Sequence, residues 1–320
     1  MGRFIARRLV QAIPTIFGIM IITFALTRLS PSDPVTIMLG NNPDLTEEDR
    51  EELREKLGLN DPLPVQFVRY VGDTARLDFG TSFRHNRPAI EVIGERLPNS
   101  LQLSVASLLL AIVVSVPLGL IAGVKRGRIA DQAIRGVSVL LHAVPLFFLG
   151  LLFVLVFGVG LGWFPVGSMN VIGESCFFCW DRVWHMAGPV IIGATGGIAF
   201  IPRVLRTEVL EILGQDFVRT ARSKGLRERV VLARHVFRNA LIPIVTLFGG
   251  ILTILLGGSV IIEQVFNWPG LGRLLFDAAN SKDYPLVQAS VLIGSLLLVV
   301  SYILRDLAYA WVDPRIKLGR

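Results

Sequence analysis

The sequence predicts an all-α membrane protein with six transmembrane helices and a hydrophilic insert after the first. Three observations carry that prediction. Hydrophobic side chains make up 52% of the 320 residues and charged ones only 18%, outside the balance of a soluble domain. Six stretches of about 20 residues, the length that crosses the hydrocarbon core, are apolar and almost free of charge. Lys and Arg gather in alternate loops. The composition excludes a soluble enzyme, a fibrous protein and a disordered regulator.

The first span, Leu9 to Leu29, follows Arg3, Arg7 and Arg8, and Arg28 near its end can snorkel to the interface. Its apolar run exceeds the core of a cleavable signal, and Ser30-Pro31-Ser32-Asp33-Pro34 has no small-x-small cleavage site, so it reads as a permanent anchor. Ala6 stands where N-myristoylation favours Ser or Thr, so no lipid anchor is expected. Residues 30–98 form the insert, short enough that it is expected to lean on the membrane domain. Within it Thr46 to Leu57 reads as a helix: Thr46 caps, acids crowd the first turn, Glu52 and Lys56 pair, and Gly58 ends it. A solvated brace and a contact for a substrate-carrying partner are both open readings of that helix. The remaining spans are Leu101 to Val124, Gly136 to Leu161, Val183 to Pro202, Ala240 to Ile262 and Tyr284 to Leu304. Pro14, Pro117, Pro145, Pro189 and Pro243 fall in or beside five of the six, as packed membrane helices tolerate.

An even number of crossings places both termini on one side. Residues 1–8 carry three Lys/Arg, 125–135 four, 203–239 nine and 305–320 four, whereas the insert holds eight against thirteen Asp/Glu. Both termini are therefore expected in the cytoplasm of a multi-pass cell (inner) membrane protein. The net charge of +7 is a topology signal and not a nucleic-acid footprint.

Neither a G-x-x-x-x-G-K-[ST] loop nor a G-x-S-x-G elbow occurs, so no catalytic residue, no cofactor and no resident metal are expected. Cys176 and Cys179 share one extracytoplasmic loop; a disulfide is the favoured reading, with free thiols and a metal site as alternatives. A proton-coupled transporter would need carboxylates near the midplane, but the spans offer only His142, with Glu263 just beyond the outer end of the fifth.

The loop between the fourth and fifth spans is the most informative. Two short amphipathic helices fit it. Phe217, Val218 and Ala221 face one way, Gly225 ends the first helix, and Val230, Val231 and Leu232 start an apolar patch on the second. Ala221, Ser223 and Gly225 are small residues between charges, which lets a backbone lie close against another protein. The outer loop Asn267-Trp268-Pro269-Gly270-Leu271-Gly272 reads as a turn, with Trp268 suited to the interface belt and Arg273 to Ala279 as a short helix.

The run Asp216-Phe217-Val218-Arg219-Thr220-Ala221-Arg222-Ser223-Lys224-Gly225-Leu226 resembles the "EAA" coupling motif of a known family, the inner-membrane permease subunits of binding-protein-dependent ABC importers of the dipeptide/oligopeptide/nickel type. Arg219 and Thr220 stand where the general motif has Glu and Ala, and Gly225 precedes Pro243 by more than its usual spacing; both departures are similar to the peptide branch. Leu59 to Gln66, Asp78 to Ser82, Glu95 to Leu101, Glu263 to Leu274, Asp283-Tyr284-Pro285 and Asp313-Pro314-Arg315 are similar too.

The resemblance implies a type I ABC importer permease fold: an N-terminal helix (1–29), the insert (30–98), a five-helix permease core (99–310) and a cytoplasmic tail (311–320). It assigns Asp216, Phe217, Arg219, Thr220, Ala221, Gly225, Leu226 and Pro243 to ATPase coupling. Glu263, Trp268, Pro269, Gly270 and Gly272 are left as either a cap on the pore's outer mouth or a binding-protein contact. Implied partners are a second homologous permease subunit, two cytoplasmic ATPase subunits and an extracytoplasmic solute-binding protein, within membrane lipid. The chain would then be a transport subunit, not an enzyme, forming half of a pathway for dipeptides or oligopeptides. Nickel, glutathione and oligosaccharides are alternatives, because the binding protein does most of the selecting.

Overall fold

The computed structural model describes residues 2–29, 34–39, 46–169, 179–241 and 260–312. Helix α1 (Gly2–Leu29) carries Pro14 inside it. It lies along the last helix, α13 (Tyr284–Val312), where Arg8 pairs with Asp306 at 2.6 Å and Gln288 Nε2 donates to Thr27 Oγ1 at 2.8 Å.

The insert contributes α2 (Pro34–Leu39), α3 (Glu47–Lys56) and α4 (Leu63–Ala75). Thr46 caps α3 reciprocally with Asp49, Lys56 pairs with Glu52 at 2.6 Å, and Gly58 leaves the helix with φ +63°. Helix α4 is held to α1 by aromatic rings, Phe67 on Phe17 and Phe24 and Tyr70 on Phe24, with centroids 5.3–5.8 Å apart. The insert does lean on the membrane helices.

Helix α5 (Ala89–Val124) is 36 residues long, and at 1.5 Å per residue it spans about 54 Å, well beyond a ~30 Å hydrocarbon core. The boundary expected between Pro98 and Asn99 falls inside this continuous helix. The third expected span is not one helix. It is α6 (Ile129–Ala143) followed by α7 (Leu146–Phe153) and a π-helical run Val154–Gly160, bent by 101° at the break. Pro145 has no N–H to give the ladder and crowds Val144, which is extended at ψ 127°.

Helix α8 (Trp180–Leu213) also outruns its expected end at Pro202, because Arg203 and Arg206 beyond it find partners on neighbouring helices or on the helix's own backbone. It runs parallel to α5, since the paired positions 107/193, 111/197, 119/205 and 123/209 rise together. Gly119 and Gly123 admit Leu205 and Val209, and Gly193 and Gly197 admit Ser107 and Ala111, so the two backbones approach closely.

The loop that follows holds α9 (Asp216–Ser223) and α10 (Glu228–Val230), the latter continuing through a π-helix (Val231–Phe237) into Arg238–Ala240. The fifth expected span lies almost wholly outside the described residues. Past it come α11 (Val260–Val265), α12 (Leu271–Asn280) and α13. Among the described residues four helices, or five spans with the bent pair, are long and apolar enough to cross a membrane. Val105, Leu109 and Val113 form an exposed apolar row on α5, the inside-out pattern of a membrane chain.

Candidate functional sites at the two ends of the bundle

One end of the α5–α8 pair is rich in Arg and carries α9; it is called the basic end here, and the other the far end. At the basic end, Val218 and Ala221 of α9 are buried in an apolar cluster with Leu205, Val209, Val231 and Val236. Asp216, Arg219 and Thr220 stay exposed, braced by Arg219 Nη1 to Asp216 Oδ1 (3.3 Å) and Thr220 Oγ1 to the Asp216 carbonyl (2.9 Å). Phe217 does not join Val218 and Ala221: positions 217 and 218 lie about 100° apart on a helix, and Phe217 is exposed.

Gly225 ends α9 with φ +74°. Its N–H donates to the Arg222 carbonyl (2.9 Å) and the Leu226 N–H to the Ala221 carbonyl (3.4 Å), the paired bonds of a Schellman cap. Arg222 then reaches across the turn with two nitrogens to the Glu228 carboxylate, at 2.7 and 3.2 Å. That contact holds the Glu228 carboxyl below the usual Glu range. The result is a short helix fixed underneath, with exposed Asp216, Phe217, Arg219, Thr220 and Leu226 around it. Pro243 lies outside the described residues.

The far end is built on Glu263. Its side chain is fully buried and accepts from Ser100 Oγ (2.6 Å) and the Arg273 N–H (2.9 Å), and Ser100 Oγ in turn accepts from the Leu271 N–H (2.7 Å). Trp268 is also fully buried, its Nε1 donating to the Asn99 carbonyl at 3.1 Å. It is therefore not an interface-belt residue, and neither Trp268 nor Glu263 offers its side chain to an external protein. Asn99 Nδ2 donates to the Pro269 carbonyl (2.9 Å), and Arg182 donates to Asn99 Oδ1 (2.8 Å) and Gln102 Oε1 (2.7 Å) while stacking on the Trp268 ring. A Cβ at Gly270 would overlap the Glu263 carboxyl group, so only glycine fits there. Gly272 is also buried against this carboxylate and Pro269 is half-buried.

Two ties escaped the sequence reading. Asp131 is fully buried and takes both Nε (2.6 Å) and Nη2 (3.0 Å) of Arg206, joining α6 to α8 at the basic end. Its signal was a lone acid among Lys125, Arg126, Arg128 and Arg135. At the far end Asp283 caps α13 and accepts from Ser82 Oγ (2.5 Å) and the Arg84 N–H (3.1 Å), so two segments noted for their resemblance meet in space. Of the two cysteines, Cys179 stands at the start of α8 and Cys176 lies outside the described residues, as does any bond between them.

Comparison with known proteins agrees with this architecture. Residues 115–318 match the family model of the binding-protein-dependent transport system inner membrane component, and residues 1–104 match the N-terminal model of such membrane components. The chain is 41% identical over 318 residues to the oligopeptide transport system permease protein AppB of Bacillus subtilis, covering 99% of this chain and all of that one. It is 36% identical over 338 residues to the dipeptide transport system permease protein DppB of Escherichia coli, with 99% of each covered. A chain of the MetNI methionine ABC transporter in an inward-facing conformation superposes with a TM-score of 0.52 over 70% of this chain and 97% of that one; at 18% identity it speaks to the fold alone. An all-α bundle with a short braced helix at its basic end and full-length kinship of this kind make the chain a multi-pass membrane permease subunit, a member of the inner membrane component family of binding-protein-dependent ABC importers.

Proposed function

We propose that this chain forms half of the translocation pathway of an ATP-driven importer for dipeptides or oligopeptides. The full-length similarity to permeases named for oligopeptide and dipeptide transport carries this reading. A second homologous permease supplies the other half, two cytoplasmic ATPase subunits the energy and a solute-binding protein the peptide. Both termini and the basic end face the cytoplasm, as the Lys/Arg distribution favours. The exposed residues of α9 dock on an ATPase subunit, and Val218 and Ala221 pass its movement to α8 through the cluster beneath. The Glu263 cap closes the pathway on the outer side. ATP is hydrolysed by the partner subunits, because this chain has no P-loop.

The test is uptake into proteoliposomes holding both permeases and both ATPases. ATP and loaded binding protein should drive accumulation of labelled di- or oligopeptides, with no uptake by this chain alone. Uptake of Ni²⁺, glutathione or an oligosaccharide without peptide would replace the substrate. Uptake abolished by an ionophore at constant ATP would replace the mechanism with proton coupling.

A further inference from the structure

At the far end, Arg84, Arg96, Arg273 and His85 line a hollow of about 220 Å³ whose floor includes Pro269 and Gly270 of the Glu263 cap. Two carboxylates also line it, and both are engaged. Asp283 is buried and holds the Ser82 hydroxyl and the Arg84 N–H; Asp277 stands 3.6 Å from Arg273. Three guanidinium groups against two carboxylates leave the hollow with a net positive charge. The insert that forms one wall is acidic overall, with eight Lys/Arg against thirteen Asp/Glu, so the hollow is a basic island in an acidic setting.

Size and charge select the occupant. The volume falls below the roughly 300–1,000 Å³ that encloses a small organic ligand, so a whole peptide does not fit, while one or two side chains do. Guanidinium forks match planar carboxylates, which they bind through paired charge-assisted hydrogen bonds.

We propose that this hollow receives an acidic side chain of the solute-binding protein. The inference rests on the reading above that the far end faces outward and that a binding protein delivers the solute there. The incoming carboxylate takes Arg84 and Arg96 and displaces Asp277 from the Arg273 side chain. The Arg273 N–H meanwhile holds Glu263, so docking acts one residue away from the cap. Charge pairing of this kind speeds encounter and sets register.

The experiment uses the reconstituted importer and its cognate binding protein, defined as the one that stimulates ATP hydrolysis by the wild-type assembly. The double variant Arg84→Gln/Arg96→Gln should raise the binding-protein concentration for half-maximal stimulation at least about tenfold at low salt. It should flatten the salt dependence and still approach the wild-type rate at saturation. Removing two other Arg residues of the insert, Arg69→Gln/Arg76→Gln, should leave that concentration unchanged. Wild-type behaviour of the Arg84/Arg96 variant overturns the docking site. So does a loss seen only in vesicles containing anionic lipid, which assigns the hollow to a headgroup, or an equal loss in the Arg69/Arg76 variant, which reduces the effect to overall charge. A wild-type assembly that no binding protein stimulates overturns the functional reading itself, and is distinguished by failing before any substitution is made.

Discussion

Gly270 and Glu263 show how tightly single residues are specified at the far end. Adding a methyl group at 270 drives it into the Glu263 carboxyl, an overpacking that should cost about 1–3 kcal/mol. Truncating the acid in Glu263→Ala strands the Ser100 hydroxyl and the Arg273 N–H, which should cost about 2–4 kcal/mol. Thermal unfolding of the purified subunit in detergent should show both losses. The double variant Gly270→Ala/Glu263→Ala should lose less than their sum, because the methyl group then fills space the carboxyl has left. Strict additivity would mean that the two residues are not in contact. The sequence displayed Glu263 as an ionisable group at the end of an apolar span, but its partner Ser100 is 163 positions away, and no local pattern announces it.

The α9 element joins a helix anchored from below to a turn that only a left-handed residue makes easily. Nothing lies within 4 Å of a Cβ placed on Gly225, so Gly225→Val pays in backbone conformation alone, about 1–2 kcal/mol. At matched membrane levels, uptake and co-purification of the ATPases should fall strongly while insertion and outer docking persist, and Arg229→Ala should be milder. Normal transport by Gly225→Val together with loss of the ATPases in Arg229→Ala would move the docking element to the second half of the loop. The Arg222–Glu228 bridge braces the same turn. Since the Glu228 carboxyl is lowered, chiefly by its hydrogen bond to Arg222, the brace is complete above the ordinary Glu range and is lost as pH falls through the lowered value. The protection of the Gly225 and Leu226 amides, their exchange corrected for its intrinsic rise with pH, should therefore be unchanged between pH 6 and 8, and Glu228→Gln at pH 7 should lower that protection. Unaltered exchange in Glu228→Gln would show that the Schellman cap holds the turn without the bridge.

For the whole molecule, the long parallel pair α5 and α8 separates two ends of different chemistry, the basic one carrying α9 and the other the insert and the Glu263 cap. If the charge asymmetry orients the chain as proposed, single cysteines introduced into a variant lacking Cys176 and Cys179 report it directly. In intact cells, with the outer barrier opened to the reagent, a membrane-impermeant thiol label should tag a cysteine at Glu51 and spare one at Lys224; both positions are exposed on the chain. Labelling at Lys224 would overturn the orientation, and with it the placing of the ATPases and of the basic hollow.

The sequence by itself determined four of the six expected apolar spans, the first, second, fourth and sixth, together with the Thr46-capped helix, the loop helix closed by Gly225 and the unequal charge of the two ends. The two capped helices rest on residues within a turn or two of each other, and the spans and the charge bias on composition counted along the chain, so none of them needs a remote partner. Tertiary structure decided what becomes of residues whose partners are remote. Trp268 looks like a belt residue until Asn99 takes its N–H, and Asp131 becomes a clamp only because Arg206, 75 positions on, reaches it. Pro145 lies between: the sequence shows a proline that membrane helices often absorb, and only the packed structure turns it into a 101° break. Burial of a polar group is favourable only when its hydrogen-bond partners are delivered by other helices, and that delivery is a property of the fold.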